Sequence, residues 1–208
     1  MIITLHNIGR RYNREWIFKA IDYTFTAGNT YAILGPNGSG KSTLLKVISG
    51  SLTPSKGTLD YSDQAGNPCA VEDVFQQISI AAPYVELIEE FTLLECINFH
   101  FQFKAYLSGF DSERVLALMN LEKAKNKEIR FFSSGMKQRV KLVLACCSSS
   151  KVVILDEPTS NLDQEGEAWY LQLVKQTIGA DRILLLGSNQ EKEYAFCDHL
   201  LNIQSFKQ

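Results

Sequence analysis

The sequence has 208 residues, 45% of them hydrophobic and 21% charged, with a formal net charge of -2. This is enough chain for one substantial core and a small subdomain, and its lysines and arginines form no basic stripe of the kind that tracks a phosphate backbone, so nucleic acid is not the expected partner. The five cysteines, Cys69, Cys96, Cys146, Cys147 and Cys197, form no C-x-x-C pair, and no stretch reaches the ~20 apolar residues of a membrane span or carries the basic-then-apolar order of a secretion signal.

In chain order, "MIITLHNI" and "WIFKAIDYTFTAG" alternate apolar and polar residues, which predicts antiparallel strands with a turn at Gly28-Asn29. "YAILG" (31 to 35), "VVILDE" (152 to 157) and "RILLLG" (182 to 187) are short continuous apolar runs, suited to strands buried on both faces. Each precedes a helix-compatible segment, Ser42 to Ser49, Gln164 to Ile178 and Glu191 to Cys197, giving the βα alternation of an α/β fold with a mixed central sheet. Between them, residues 84–130 carry helical patterns: "TLLECINFHFQFKAYLSG" runs to a glycine and "DSERVLALMN" opens on an Asp cap. The expected division is therefore a core of 1–83 and 131–208 with a helical subdomain at 84–130. In "SSGMKQRVKLVLACC" one helical face holds Met136, Val140, Val143, Leu144 and Cys147, which leaves Lys137, Gln138, Arg139 and Lys141 mostly on the other.

The chemistry starts at "GPNGSGKST", which fits G-x-x-x-x-G-K-[ST] with Gly35, Gly40, Lys41 and Ser42. Glycines let successive N–H groups curl toward phosphate oxygens, and the following helix adds its positive end. Lys41 reaches the β and γ phosphates of a nucleotide in such a loop, and Ser42 holds Mg2+. "VVILDEP" ends a buried strand in Asp156 and Glu157, whose side chains point to opposite sides. Beside a phosphate loop, Asp156 is placed to bind the Mg2+ shell and Glu157 to orient or deprotonate a water. Asp163 in "SNLD" reads by itself as a helix cap, and Ser133, Ser134 and Gly135 at a helix start supply free N–H groups and hydroxyls for an anion.

The order of these pieces resembles the ATP-binding subunits of ABC transporters over nearly the whole chain. "GPNGSGKST" is similar to their Walker A, with Gly35, Pro36, Asn37, Gly38, Ser39, Gly40, Lys41, Ser42 and Thr43; "VVILDEP" to their Walker B; "SNLD" to their D-loop; and "FSSGMKQR" to their signature helix. The resemblance implies a P-loop NTPase core, ATP and Mg2+ as ligands, and Tyr12 stacked on adenine. It also implies a head-to-tail homodimer or heterodimer in which Ser133, Ser134 and Gly135 close over the other chain's nucleotide. The partner it implies is a separate transmembrane permease, with the chain cytoplasmic and peripheral at the inner face of the membrane. Short subunits with "SSGMKQR" look most like export-type systems, including the one linked to cytochrome c maturation. Since the sequence ends soon after "HLLNIQSFKQ", no C-terminal regulatory domain is expected.

Departures from the family pattern are informative. Where the family carries a Gln after the strand matched by "ISIAA", this chain has Pro83, which has no side-chain amide; where it carries a switch His, this chain has Asn189, which donates a hydrogen bond but exchanges no proton near neutral pH. The signature's second Gly is Ser134 and its following Gln is Met136. These changes spare phosphate binding and bear on the hydrolysis rate, so a nucleotide-gated binding module with weak turnover stands as the alternative to an ATPase. The aromatic "INFHFQFKAYL" offers either subdomain core or a groove for a helix of the permease.

Overall fold

The structure is a computed structural model and describes residues 1–207. Strands β1 (Ile2–Tyr12) and β2 (Glu15–Thr26) form an antiparallel hairpin, and β3 (Thr30–Leu34), the first fully apolar run, leads into helix α1 (Lys41–Ile48). Then come β4 (Lys56–Ser62), α2 (Val71–Gln77) and β5 (Ile78–Ala81). Helices α3 (Leu93–Phe103), α4 (Ser112–Leu118) and α5 (Ser134–Cys147) follow, and β6 (Val152–Asp156), α6 (Gln164–Thr177), β7 (Ile183–Ser188), α7 (Glu191–Tyr194) and β8 (His199–Asn202) complete the chain.

The antiparallel and parallel strands expected from the sequence are both present, divided between two sheets where a single mixed sheet was anticipated. One sheet has the order β2-β1-β4; the other, β5-β6-β7-β3-β8, is parallel at every pairing. The division follows from patterning: the alternating hairpin keeps one face wet, whereas β3, β6 and β7 are apolar on both faces and need cover on both. Gly28-Asn29 is accordingly the passage between sheets. The hairpin itself turns at Asn13, which accepts φ of 53° as Asn tolerates better than most residues.

Strand alternation sends Tyr31, Ile33, Val152, Ile154 and Leu185 into a layer shared with α1 and the hairpin. Ala32, Val153, Leu155, Leu184 and Leu186 face the other way, onto α3, α4, α5 and α6. Helix α3 opens with a capping box, Thr92 with Glu95, and α4 opens on Asp111, whose carboxylate accepts from the Arg114 N–H. The pattern read as running to Gly109 stops as a helix at Phe103, because Lys104 takes an extended backbone and its ammonium donates to the Phe75, Gln76 and Ile78 carbonyls around the end of α2. Gln138, assigned to the polar side of α5, is buried: the helix is covered more widely than a single stripe, and its amide donates to the Pro158 carbonyl at 2.8 Å.

Candidate functional site

Parallel register brings the C-terminal ends of the central strands together, with Leu34 opposite Ser188 and Asp156 opposite Gly187. In open α/β sheets this edge is where ligands bind. The loop from Gly35 to Gly40 leaves β3 there and enters α1. Gly40 has φ of 109°, and a Cβ on it would lie 2.5 Å from Ile17 Cγ2; at Gly35 a Cβ would lie 2.6 Å from Ser39 Oγ. Neither position admits a side chain, which is why the loop stays tight enough to direct N–H groups inward.

Lys41 begins α1 and is buried, its ammonium donating to the Gly35 carbonyl at 2.9 Å and the Pro36 carbonyl at 3.3 Å. A cation is thereby held in the mouth of the loop. Across from it, Asp156 is only 1% exposed, and neither carboxylate oxygen has a hydrogen-bond partner in the chain. Burial raises its pKa above the ordinary range, opposed first by the Ser42 hydroxyl and then by the ammoniums of Lys41 and Lys46. Gly187 makes room for this carboxylate, since a Cβ there would stand 2.4 Å from Asp156 Oδ1. Two orphaned, buried carboxylate oxygens beside a hydroxyl are a donor set for a hard cation.

Glu157 takes a positive φ of 48°, and its N–H donates to the Gly187 carbonyl at 2.8 Å. That backbone turns the second carboxylate away from the first, where Ser160 Oγ lies 3.4 Å from Glu157 Oε2. Asn189 directly follows β7 and reaches across to the phosphate loop: its Nδ2 donates to Asn37 Oδ1 at 3.1 Å. The edge therefore gathers Lys41, Ser42, Asp156, Glu157 and Asn189. Pro83 lies just past β5, and the next residue, Tyr84, has its ring 3.8 Å from the Lys46 ammonium, with burial and the Asp156 charge raising its phenol pKa.

The remaining candidates lie elsewhere. Tyr12 is 47% exposed at the end of β1, with the Arg10 guanidinium 4.8 Å from its ring centre. Ser133 caps α5 by accepting from the Met136 N–H, Ser134 is exposed, and Gly135 packs where a Cβ would come 2.9 Å from the Asn161 carbonyl. Among the described residues no hydrogen bond joins these three to the phosphate loop. Asp163 caps α6 through the Gly166 N–H at 2.8 Å, as its position in "SNLD" predicts. Sequence reasoning missed Lys46, Tyr84, Thr159 and Glu193; of these only Lys46, one turn after Ser42 on α1, carried a signal in its spacing.

A groove of about 360 Å3 opens between β5 and α3, lined by Ile80, Leu87, Phe91, Phe99 and Lys141 among others, none of them from the phosphate loop. Along the aromatic run the exposure is uneven. Ile97 is buried in the core, while Phe103 is 71% exposed and stacks edge-on against Phe99 at 5.2 Å.

The profile of the ABC transporter family matches residues 18–160. A Nod factor export ATP-binding protein I from Cupriavidus metallidurans is 26% identical over 98% of this chain, which spans 68% of that protein. A solved ATP-binding subunit of an ABC transporter is 26% identical with a TM-score of 0.81, covering 98% of this chain and 86% of that one. The dimeric structure of a bacterial ABC transporter cassette shares the fold, with a TM-score of 0.79 at 21% identity over 97% of this chain and 94% of its own.

Proposed function

The chain belongs to the ABC transporter family, and from that premise we propose that it binds ATP with Mg2+, hydrolyses it in a dimer, and so drives a separate transmembrane permease. The observation that carries the reading is Asp156: a buried carboxylate with no partner of its own, facing Ser42 at the mouth of a phosphate loop. Asp156 and Ser42 hold the Mg2+, which when bound offsets the negative charge of the phosphates. The loop N–H groups of Gly38 to Thr43, the positive end of α1 and Lys41 hold the β and γ phosphates.

Glu157 orients a water and takes its proton as the water oxygen bonds to the γ phosphorus. The bond from that phosphorus to the bridging oxygen breaks, and ADP and phosphate leave. Asn189 donates a hydrogen bond to the γ phosphate and neither gives nor takes a proton. Tyr12 offers its free ring face to adenine, and Ser133, Ser134 and Gly135 of each chain close over the nucleotide of the other. The groove beside α3 receives a cytoplasmic segment of the permease, which puts the chain at the inner face of the membrane.

Purified protein is expected to release phosphate only with Mg2+, and Glu157→Gln to abolish release while accumulating an ATP-bound dimer on size exclusion. The second reading, a nucleotide-gated module with little turnover, is favoured by Pro83 and by the neutral amide at Asn189. Equal, negligible release by wild type and Glu157→Gln, with ATP binding intact, selects it over the ATPase.

A further inference from the structure

Glu193 belongs to none of the motifs above, yet it is 1% exposed, and among the described residues no lysine, arginine or histidine pairs with it. A buried carboxylate without a cation is costly unless its oxygens are fully engaged. Here they are. One oxygen accepts from both the N–H and the hydroxyl of Thr159, and the other accepts from the hydroxyl of Ser188.

The partners give the arrangement its meaning. Thr159 lies two residues past Glu157, and its carbonyl accepts from the Leu162 N–H, closing the turn in which the Asn161 carbonyl meets Gly135. Ser188 is the last residue of β7, immediately before Asn189, and its hydroxyl also accepts from the Gln190 N–H at 2.9 Å. The backbone that carries this carboxylate is held from behind, because the Tyr170 hydroxyl of α6 donates to the Glu193 main-chain carbonyl at 3.2 Å. One side chain thus clasps the loop that carries the water-directing carboxylate to the loop that carries the phosphate-reading amide.

We propose that Glu193 is a positioning residue that couples the Glu157 loop to the Asn189 loop, so that the two close on the γ phosphate together and the Asn161 turn stays set against Gly135. The coupling rests on the ATPase reading, but its geometry acts on dimer closure as well as on turnover. A residue that served only to fill space would need neither the charge nor donors from two separate loops.

The test uses the full chain and the variants Glu193→Gln, Ser188→Ala, Thr159→Val and the Ser188→Ala/Thr159→Val double. Displacing reacting groups by a fraction of an ångström is expected to lower kcat by about tenfold in Glu193→Gln with KM for ATP within about twofold. Because either single cut opens the same clasp, the double variant should lose no more kcat than the more damaging single, whereas independent effects would multiply. In the Glu157→Gln background, Glu193→Gln is expected to raise the ATP concentration for half-maximal dimerisation by about tenfold. A drop in melting temperature with kcat and dimerisation unchanged, or multiplying losses in the double variant, overturns the proposal. If wild type itself releases no phosphate, the hydrolysis reading fails by itself and the dimerisation series alone decides Glu193.

Discussion

Asn189 donates its amide to Asn37 Oδ1 at 3.1 Å, so the group that stands where the family places a histidine touches the phosphate loop. An amide contributes one hydrogen bond and no titratable proton. Asn189→Ala should therefore lower kcat by about fivefold, the loss of roughly 1 kcal/mol of transition-state hydrogen bonding. Asn189→His should preserve or raise turnover and introduce a pH dependence around the imidazole range that wild type lacks. Phosphate release measured from pH 5.5 to 8.5 reads both; unchanged profiles in both variants would reduce Asn189 to the end of a strand. At this scale, Lys41, Ser42, Asp156 and Glu157 are legible because their spacing within a strand-to-loop unit already fixes what they can reach. Glu193 is not. As an acidic residue in the first turn of α7 it looks like an ordinary helix start, and only the approach of Thr159 and Ser188 from distant segments reveals what it binds.

Among the elements, β3, β6 and β7 announce themselves as uninterrupted apolar runs, whereas β4, with an exposed face, and the four-residue β8 are set by pairing with neighbours the sequence cannot show. Arg182 is the sharper case: it heads an apolar run, yet it is fully buried, its guanidinium donating to the Cys146, Ser148, Ser150 and Thr177 carbonyls and so joining the ends of α5 and α6 to β7. Helix α3 carries a comparable tie in His100, whose Nε2 lies 2.8 Å from Ser148 Oγ. Burial, reinforced by the Lys104 ammonium, lowers its pKa to about 4. The unfolded chain then binds the proton first, at an ordinary histidine pKa of about 6.5. His100 thus supports the fold fully above that value, and its contribution drains away as pH falls from there to about 4. His100→Gln, which keeps a polar group near Ser148, should flatten that acid limb: in urea unfolding, wild type should lose about 3 kcal/mol more than the variant between pH 7 and pH 4. Parallel curves would mean that His100 is protonated as readily in the fold as out of it.

For the whole molecule, the proposed function depends on two surfaces, the phosphate loop and the start of α5, that the chain's own fold leaves unjoined. The phosphate loop sits at the ends of β3, β6 and β7, while Ser134 is exposed at the start of α5, beside the Asn161 turn. In the proposed head-to-tail pair each site would be made from the loop of one chain and the helix start of the other, so damage to the two surfaces should complement. Lys41→Ala disables the loop, and Ser134→Glu sets a negative charge at the helix start, on an exposed residue that the fold tolerates. Each variant alone should be nearly inactive. Mixed in equal amounts and allowed to exchange, half of the dimers contain one of each, and each such dimer has one site built from two intact surfaces and one built from two damaged ones. Phosphate release should then return to about a quarter of the wild-type rate, provided one intact site turns over independently. Recovery well below that, with mixed dimers verified by mass, would mean that the two sites must fire together, and no mixed dimers at all would refute the head-to-tail arrangement.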